Sequence, residues 1–265
     1  HCGTYLIFYE RVSPPYDPRM ILPFRVSRKM AVEHLEKEFA NRLFAPADFM
    51  SAKSLEKMEG IYVPFWLYDY DANYDFAGED TRIRTWRSGD MEYTETSYYE
   101  VVRKMDADFE RVPADASYVM ADGIMDLMEP YDYQALIGFS PKYMSGFLSE
   151  RYNQQADELA DRAENKVKEA SENLLQSSLT GYATMRPYHK NLNLQKKDAC
   201  YALMPVWQYV YRYKDKTYLY HVNGQTGKVV GETPVSRAKV IAYGASVFAM
   251  VTAFCGLVIH VIEIL

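Results

Sequence analysis

The sequence predicts an α+β fold: two helix-plus-antiparallel-sheet units related as a degenerate duplication, followed by a C-terminal transmembrane helix. Three observations carry this. VPFWLYDY at residues 63–70 returns 141 positions later as MPVWQYVY at residues 204–211, with Pro, Trp and two Tyr in the same places. Each copy follows a segment of helical periodicity and opens a stretch rich in Tyr, Val and Thr that is punctuated by turn residues. The run VIAYGASVFAMVTAFCGLVIHVI, residues 240–262, contains no Lys, Arg, Asp or Glu. As a helix rising ~1.5 Å per residue it reaches about 34 Å, enough to cross a bilayer.

Taken in order, residues 1–19 hold a short predicted strand at 5–9 and the Pro-rich connector SPPYDP. The first unit, 20–139, opens with a helix for which Ser27 is the expected N-cap. Met30, Ala31, Leu35, Phe39 and Leu43 recur on one face of it. IYVPFWLYDYDANYDF and the segment after it then read as antiparallel strands turning at Ser88-Gly89, with Pro64 at a strand start, bulge or edge. A short helix is expected at 124–128, before Pro130. The second unit, 140–236, is predicted to start with a long helix from Ser140-Pro141 to Leu179, with Gly181 as its C-cap. The apolar face of that helix is Ala156, Leu159, Ala163, Val167, Ala170, Leu174 and Leu175. Strands from residue 200 onward turn at Lys214-Asp215 and Asn223-Gly224. Identity outside the repeated core is low, so the Trp and Tyr preference of strands in general is the competing explanation for the repeat.

A net charge of −6 and a pI near 5.5 argue against a surface built for nucleic-acid phosphates. Three scattered cysteines, Cys2, Cys200 and Cys255, make no disulfide framework and fit a reducing compartment. GQTGKVV is not a phosphate loop, because only two residues separate its glycines and Val229 follows Lys228. The five histidines show no zinc-hydrolase spacing, and no Gly-x-Ser-x-Gly elbow occurs. The remaining chemistry-bearing groups surround the repeat. Asp69 and Asp71 alternate onto one face of a strand, as a Ca²⁺ or acid–base pair would, or as a solvated strand end would. Trp66, Tyr68, Tyr70, Trp86, Trp207, Tyr209 and Tyr211 either line a ligand groove or form core, and core is the favoured reading. Trp66, Tyr68, Asp69, Tyr70, Asp71, Trp207 and Tyr209 are therefore the candidate ligand-binding residues.

LPFRVSRKMAVEHLEKEF, GIYVPFWLYDYD, TRIRTWRSGDMEYTETSYYEVVR, DFERVPADAS, MDLMEPYDYQALIGFSPKYMSGFLSERY and HVNGQTGKVVGETPVS, in that succession, resemble bacterial membrane proteins that carry a transcription-factor-IIB-type zinc ribbon. The last of these also looks like the closing hairpin of PepSY-like modules. The resemblance implies that His1-Cys2-Gly3 is the tail of a zinc knuckle with Cys2 as its final ligand. It implies zinc in the intact protein and none held by Cys2 alone, because a tetrahedral site needs four ligands.

The function expected from these readings is that of a membrane-anchored, non-enzymatic binding or scaffold protein. Its partner would be a protein or a second transmembrane helix packing on Ala245, Ala249 and Ala253. The alternatives are a membrane-bound enzyme using Asp69 and Asp71, and nucleic-acid binding through a ribbon. Lys228, Arg237 and Lys239 precede the apolar run and no Lys or Arg follows it, which predicts a cytoplasmic body at the cell membrane.

Overall fold

The computed structural model describes residues 18–40, 42–46, 58–117, 122–150, 154–180, 184–213 and 216–264. The predicted strand at 5–9, Cys2, Gly181 and the Lys214-Asp215 turn lie outside the described residues. The protein is α+β. One sheet contains β1 (Met20–Ile21), β2 (Glu59–Ser88), β3 (Met91–Asp115), β4 (Ile137–Gly138), β5 (Leu148–Ser149), β6 (Thr184–Tyr213), β7 (Lys216–Asn223) and β8 (Val229–Gly231). The helices are α1 (Arg28–Phe39), α2 (Asp122–Met128), α3 (Ala156–Ser178) and α4 (Arg237–Ile264). The strand order is β3-β2-β6-β1-β4, with β5 on β2 and with β7 and β8 continuing from β6.

The repeated segments meet at the centre of this sheet. β2 and β6 are antiparallel, and Val63 faces Met204, so the two copies begin opposite each other and run apart. Trp66 then lies opposite Tyr201, and Trp207 opposite Gly60, as a local two-fold axis between Val63 and Met204 requires. The flanking strands follow the same operation. β5 joins β2 in parallel at Ile61 and Tyr62, and β1 joins β6 in parallel at Ala202 and Leu203.

Both prolines sit inside long strands rather than at a strand start or sheet edge. Each stands one residue before the last pair made by an outer neighbour, Phe65 with Asp115 on one side and Val206 with Asn223 on the other. Their missing N–H therefore falls where β3 or β7 has already left the ladder. Their carbonyls still accept, from Ala116 and Gly224, both at 2.9 Å.

The helices cross between the sequence units. α1, capped by Ser27 accepting from the Met30 N–H, lays Ala31, Leu35 and Phe39 on Trp207, Tyr209, Tyr211 and Tyr220. α3 lays Leu159, Ala163 and Val167 on the Trp66 side of the same face. The helix of each unit thus covers the Trp strand of the other. On the opposite face Met125 and Met128 of α2, with Tyr131 and Leu136, cover Ile61, Val63, Phe65, Leu67, Met204 and Val206.

Two local expectations are corrected. The long helix does not begin at Ser140-Pro141. Residues Pro141–Met144 form a single tight turn, Gly146 takes φ +86°, and α3 starts at Ala156, where the Glu158 carboxylate accepts from the Gln155 N–H at 2.8 Å. Leu43 lies beyond α1 and is 60% exposed, because three-residue turn bonds from Arg42 to Phe39 and from Ala45 to Arg42 take the chain off the helix axis.

The two halves diverge in reach. The β6–β7 hairpin ends at Tyr213 and Lys216, whereas β2 and β3 pair out to Ser88 and Met91. β6 accompanies them as far as Thr184 opposite Thr81, and among the described residues β2 and β3 alone continue beyond it, as a two-stranded ribbon. At the other end of the chain α4 leaves the body. Within Arg237–Val258 an 18-residue stretch has a mean hydropathy of 1.9 and none of it is buried, so among the described residues one helix is long and apolar enough to cross a membrane.

Candidate functional site

Of the seven aromatic residues read as groove or core, six are core, as favoured, and Trp86 is exposed. Trp66 and Trp207 are 7% exposed, and Tyr68, Tyr70, Tyr209 and Tyr211 are buried with them. Each indole N–H donates to a backbone carbonyl, Trp66 to Gln154 at 3.0 Å and Trp207 to Val26 at 2.8 Å. Each carbonyl belongs to the residue just before a helix N-cap. The aromatic body anchors the helix and the polar tip fixes its start.

On the Trp66 side the contacts continue along α3. The Tyr68 hydroxyl donates to Ala156 O at 2.5 Å, Tyr70 to Ala160 O at 3.2 Å and Tyr74 to the Glu172 carboxylate at 2.6 Å. From Tyr68 to Tyr74 the strand advances about 20 Å and from Ala156 to Glu172 the helix about 24 Å, so the two run alongside each other over this distance. Burial raises the pKa of Tyr68, aided by Tyr70 and Asp157, and pushes Tyr62 up to about 12.

The surroundings of the two indoles differ. Over Trp207 the ring of Phe147 fills the space above Gly60, where a Cβ would come within 2.5 Å of it. The chain position matching Phe147 in the other half is Arg19, which pairs with Asp198 at 3.5 Å. A cleft of about 350 Å³ opens there beside Trp66, Tyr201 and Ala156.

Asp69 and Asp71 occupy the other face of β2, and each has a structural partner. Asp69 lies where both neighbouring strands bulge, and its carboxylate accepts from the Arg111 N–H at 2.7 Å. Arg111 has φ 57°, a left-handed conformation that this bond supports. Asp71 faces Asp108 across the ladder, and Lys197 sits between them. The Lys197 ammonium holds Asp71 below the usual carboxylate range. Among the described residues no group of three or more His, Cys, Asp or Glu is placed to hold a metal ion.

The exposed chemistry lies on the ribbon instead. α3 ends with Leu175 and Leu179 over Phe76 and Val101. The same sheet face then continues uncovered through Arg82, Arg84 and Trp86, with Ser97, Glu95 and Tyr93 opposite them. Trp86 is 42% exposed and stacks on Tyr93 with centroids 5.7 Å apart and an interplanar angle of 14°. The Arg84 guanidinium lies 5.7 Å from the Trp86 ring centroid, and that of Arg82 lies 5.7 Å from Tyr99. The two-residue turn at Gly89, φ +63°, closes the ribbon.

Sequence reasoning grouped Trp86 with the core aromatics and left the ribbon face unassigned. The available signal was alternation. In TRIRTWRSGDMEYTETSYYE both alternate sets carry charge, so neither face can be wholly buried.

No family model matches the chain, and no solved structure does either. It is 34% identical over 237 residues to the uncharacterized protein YdjG of Bacillus subtilis (strain 168). With 89% of this chain and 70% of that protein inside the alignment, the chain belongs to the family of YdjG.

Proposed function

We propose that the protein is a membrane-anchored binding or scaffold protein that presents its β2–β3 ribbon to a protein partner. The observation that carries this is the Trp86–Tyr93 stack with Arg82 and Arg84 beside it, exposed on a two-stranded extension held out by the sheet. Trp, Tyr and Arg are the residues that dominate protein interfaces, and stacking fixes them before binding. Glu92, Glu95 and Glu100 interleave with the arginines on the ribbon and its stem, which disfavours a phosphate backbone as the ligand. α4 is the anchor, and Lys228, Arg237 and Lys239 before it favour a body on the cytoplasmic side. The matched pairings around Val63 and Met204 support descent of the two halves from one duplicated unit. Zinc belongs to this reading only through a ribbon ending at Cys2.

The test replaces Trp86 with a photo-crosslinking amino acid in cells, identifies the protein captured, and measures its affinity for the purified chain. Trp86→Ala and Arg84→Glu are expected to weaken binding at least about tenfold, the effect of losing an interface anchor. A partner that binds unchanged to a chain shortened to a tight turn after Thr81 rules the ribbon out.

A further inference from the structure

The sheet end opposite the ribbon tip gathers three separate pieces of chain. α1 starts at Trp207, through Val26, and ends with Phe39 on Tyr220, so it runs alongside β6 and delivers residues 42–46 towards the β6–β7 tip. The Tyr220 hydroxyl donates to Glu232 O at 2.5 Å, which brings the approach to α4 to the same level. Ser236 N–H donates to Phe44 O at 2.8 Å and Phe44 meets Tyr243 edge-on, so the 42–46 loop is fixed to the first turns of α4. Between loop and approach lies an open cleft of about 640 Å³. Leu43 (60% exposed) and Val235 (54% exposed) stand uncovered at it. Arg42, Arg237 and Lys239 flank this apolar patch, and Arg212 and Lys216 are on the neighbouring hairpin. Among the described residues the acids here are Glu38, paired with Arg42 at 3.2 Å, and Glu232.

We infer that this end of the body is a second, peripheral membrane contact, with Leu43 and Val235 entering the bilayer interface and Arg42, Arg237 and Lys239 holding anionic phospholipid headgroups. The occupant follows from continuity, since the patch adjoins the first turns of a helix that exposes a long apolar stretch from Val240 onward, Ile241 and Phe248 among it. It follows also from charge, since basic side chains beside a bilayer attract anionic lipid. The contact would hold the body at a set attitude to the membrane. The inference rests on α4 spanning the bilayer, which the same experiment reads separately.

The full chain is placed in nanodiscs of phosphatidylcholine, with or without phosphatidylglycerol, and amide exchange is followed by peptide. Exchange in 42–46 and 231–236 is expected to slow about tenfold when phosphatidylglycerol is present, and to lose that difference in high salt, as charge attraction does. Arg42→Glu with Lys239→Glu, or Leu43→Asp alone, removes the protection while exchange around Trp66 stays unchanged, which shows the variants folded. Slow exchange in α4 with equal exchange of the two loops in both lipids overturns the inference and leaves the anchor standing. Fast exchange in α4 overturns both.

Discussion

Around Trp66 the sheet is covered by a helix of 23 residues, and around Trp207 by one of 12. Both helices nevertheless start one residue after an N-cap whose preceding carbonyl takes the indole N–H. The Asx turns match as well. Asp115 accepts from the Ser117 N–H where β3 leaves the ladder, and Asn223 accepts from the Gln225 N–H where β7 leaves it. What varies is everything outward from this joint: hairpin length, helix length, and the filling above the indole. A helix start and a strand crossing are thus what the two regions share, while their peripheries differ, one continuing as a projecting ribbon and the other as the approach to α4.

The strongest way to break this comparison is to remove the indoles. Trp207→Ala should cost about 4–5 kcal/mol in urea denaturation and Trp66→Ala about 3, because Trp66 already borders open space while Trp207 is enclosed by Phe24 and Phe147. A larger loss at Trp66 would reverse the assignment of the tighter half.

Acid should then separate the halves. His221, 1% exposed on β7, has its pKa lowered to about 4 by burial, and its counterpart next to Ala114 on β3 is Pro113. The folded state keeps the imidazole neutral while the unfolded chain takes up a proton near pH 6.5. The contribution of His221 is therefore full above pH 6.5 and is lost as pH falls towards 4, by about 3 kcal/mol in all. Stability of His221→Gln measured across this window should lack that slope.

Gly60→Ala sharpens the difference in filling. Its Cβ would meet Phe147 at 2.5 Å and Trp207 at 3.2 Å, so a loss of about 1–3 kcal/mol is expected in a thermal melt. The matching residue in the other half is Tyr201, where a full ring is accommodated. The smallest effect belongs to the ribbon. Trp86→Ala should change global stability by no more than about 0.5 kcal/mol, since the side chain covers no core. A large loss there would mean that the ribbon supports the fold rather than a partner.

Signals that act over a few residues were legible in the sequence. Ser27 caps α1, Gly89 closes the long hairpin, and α2 forms where it was expected. The pairing of β2 with β6 was not, because alternation specifies a face but never names the neighbouring strand. The exchange of helices between units was hidden for the same reason, since an apolar stripe at helical spacing fits either Trp strand. Ser140-Pro141 misled because a cap followed by proline opens a tight turn as readily as a helix, and only the φ of +86° at Gly146 separates the two. Of the candidate residues, Trp66, Tyr68, Tyr70, Trp207 and Tyr209 were placed correctly on strands, and the structure assigns them to holding helices. The exposed ribbon was hardest to read, because strand residues look alike whether or not a helix reaches far enough to cover them.

β2 runs without a break for 30 residues, about 95 Å at most, from the centre of the body to the ribbon tip. Tension applied at that tip is therefore carried along the strand axis into the rungs shared with β6. Those rungs are loaded in shear and have to fail together. A load taken up at the far end of the ribbon reaches the two indole joints with little give in between.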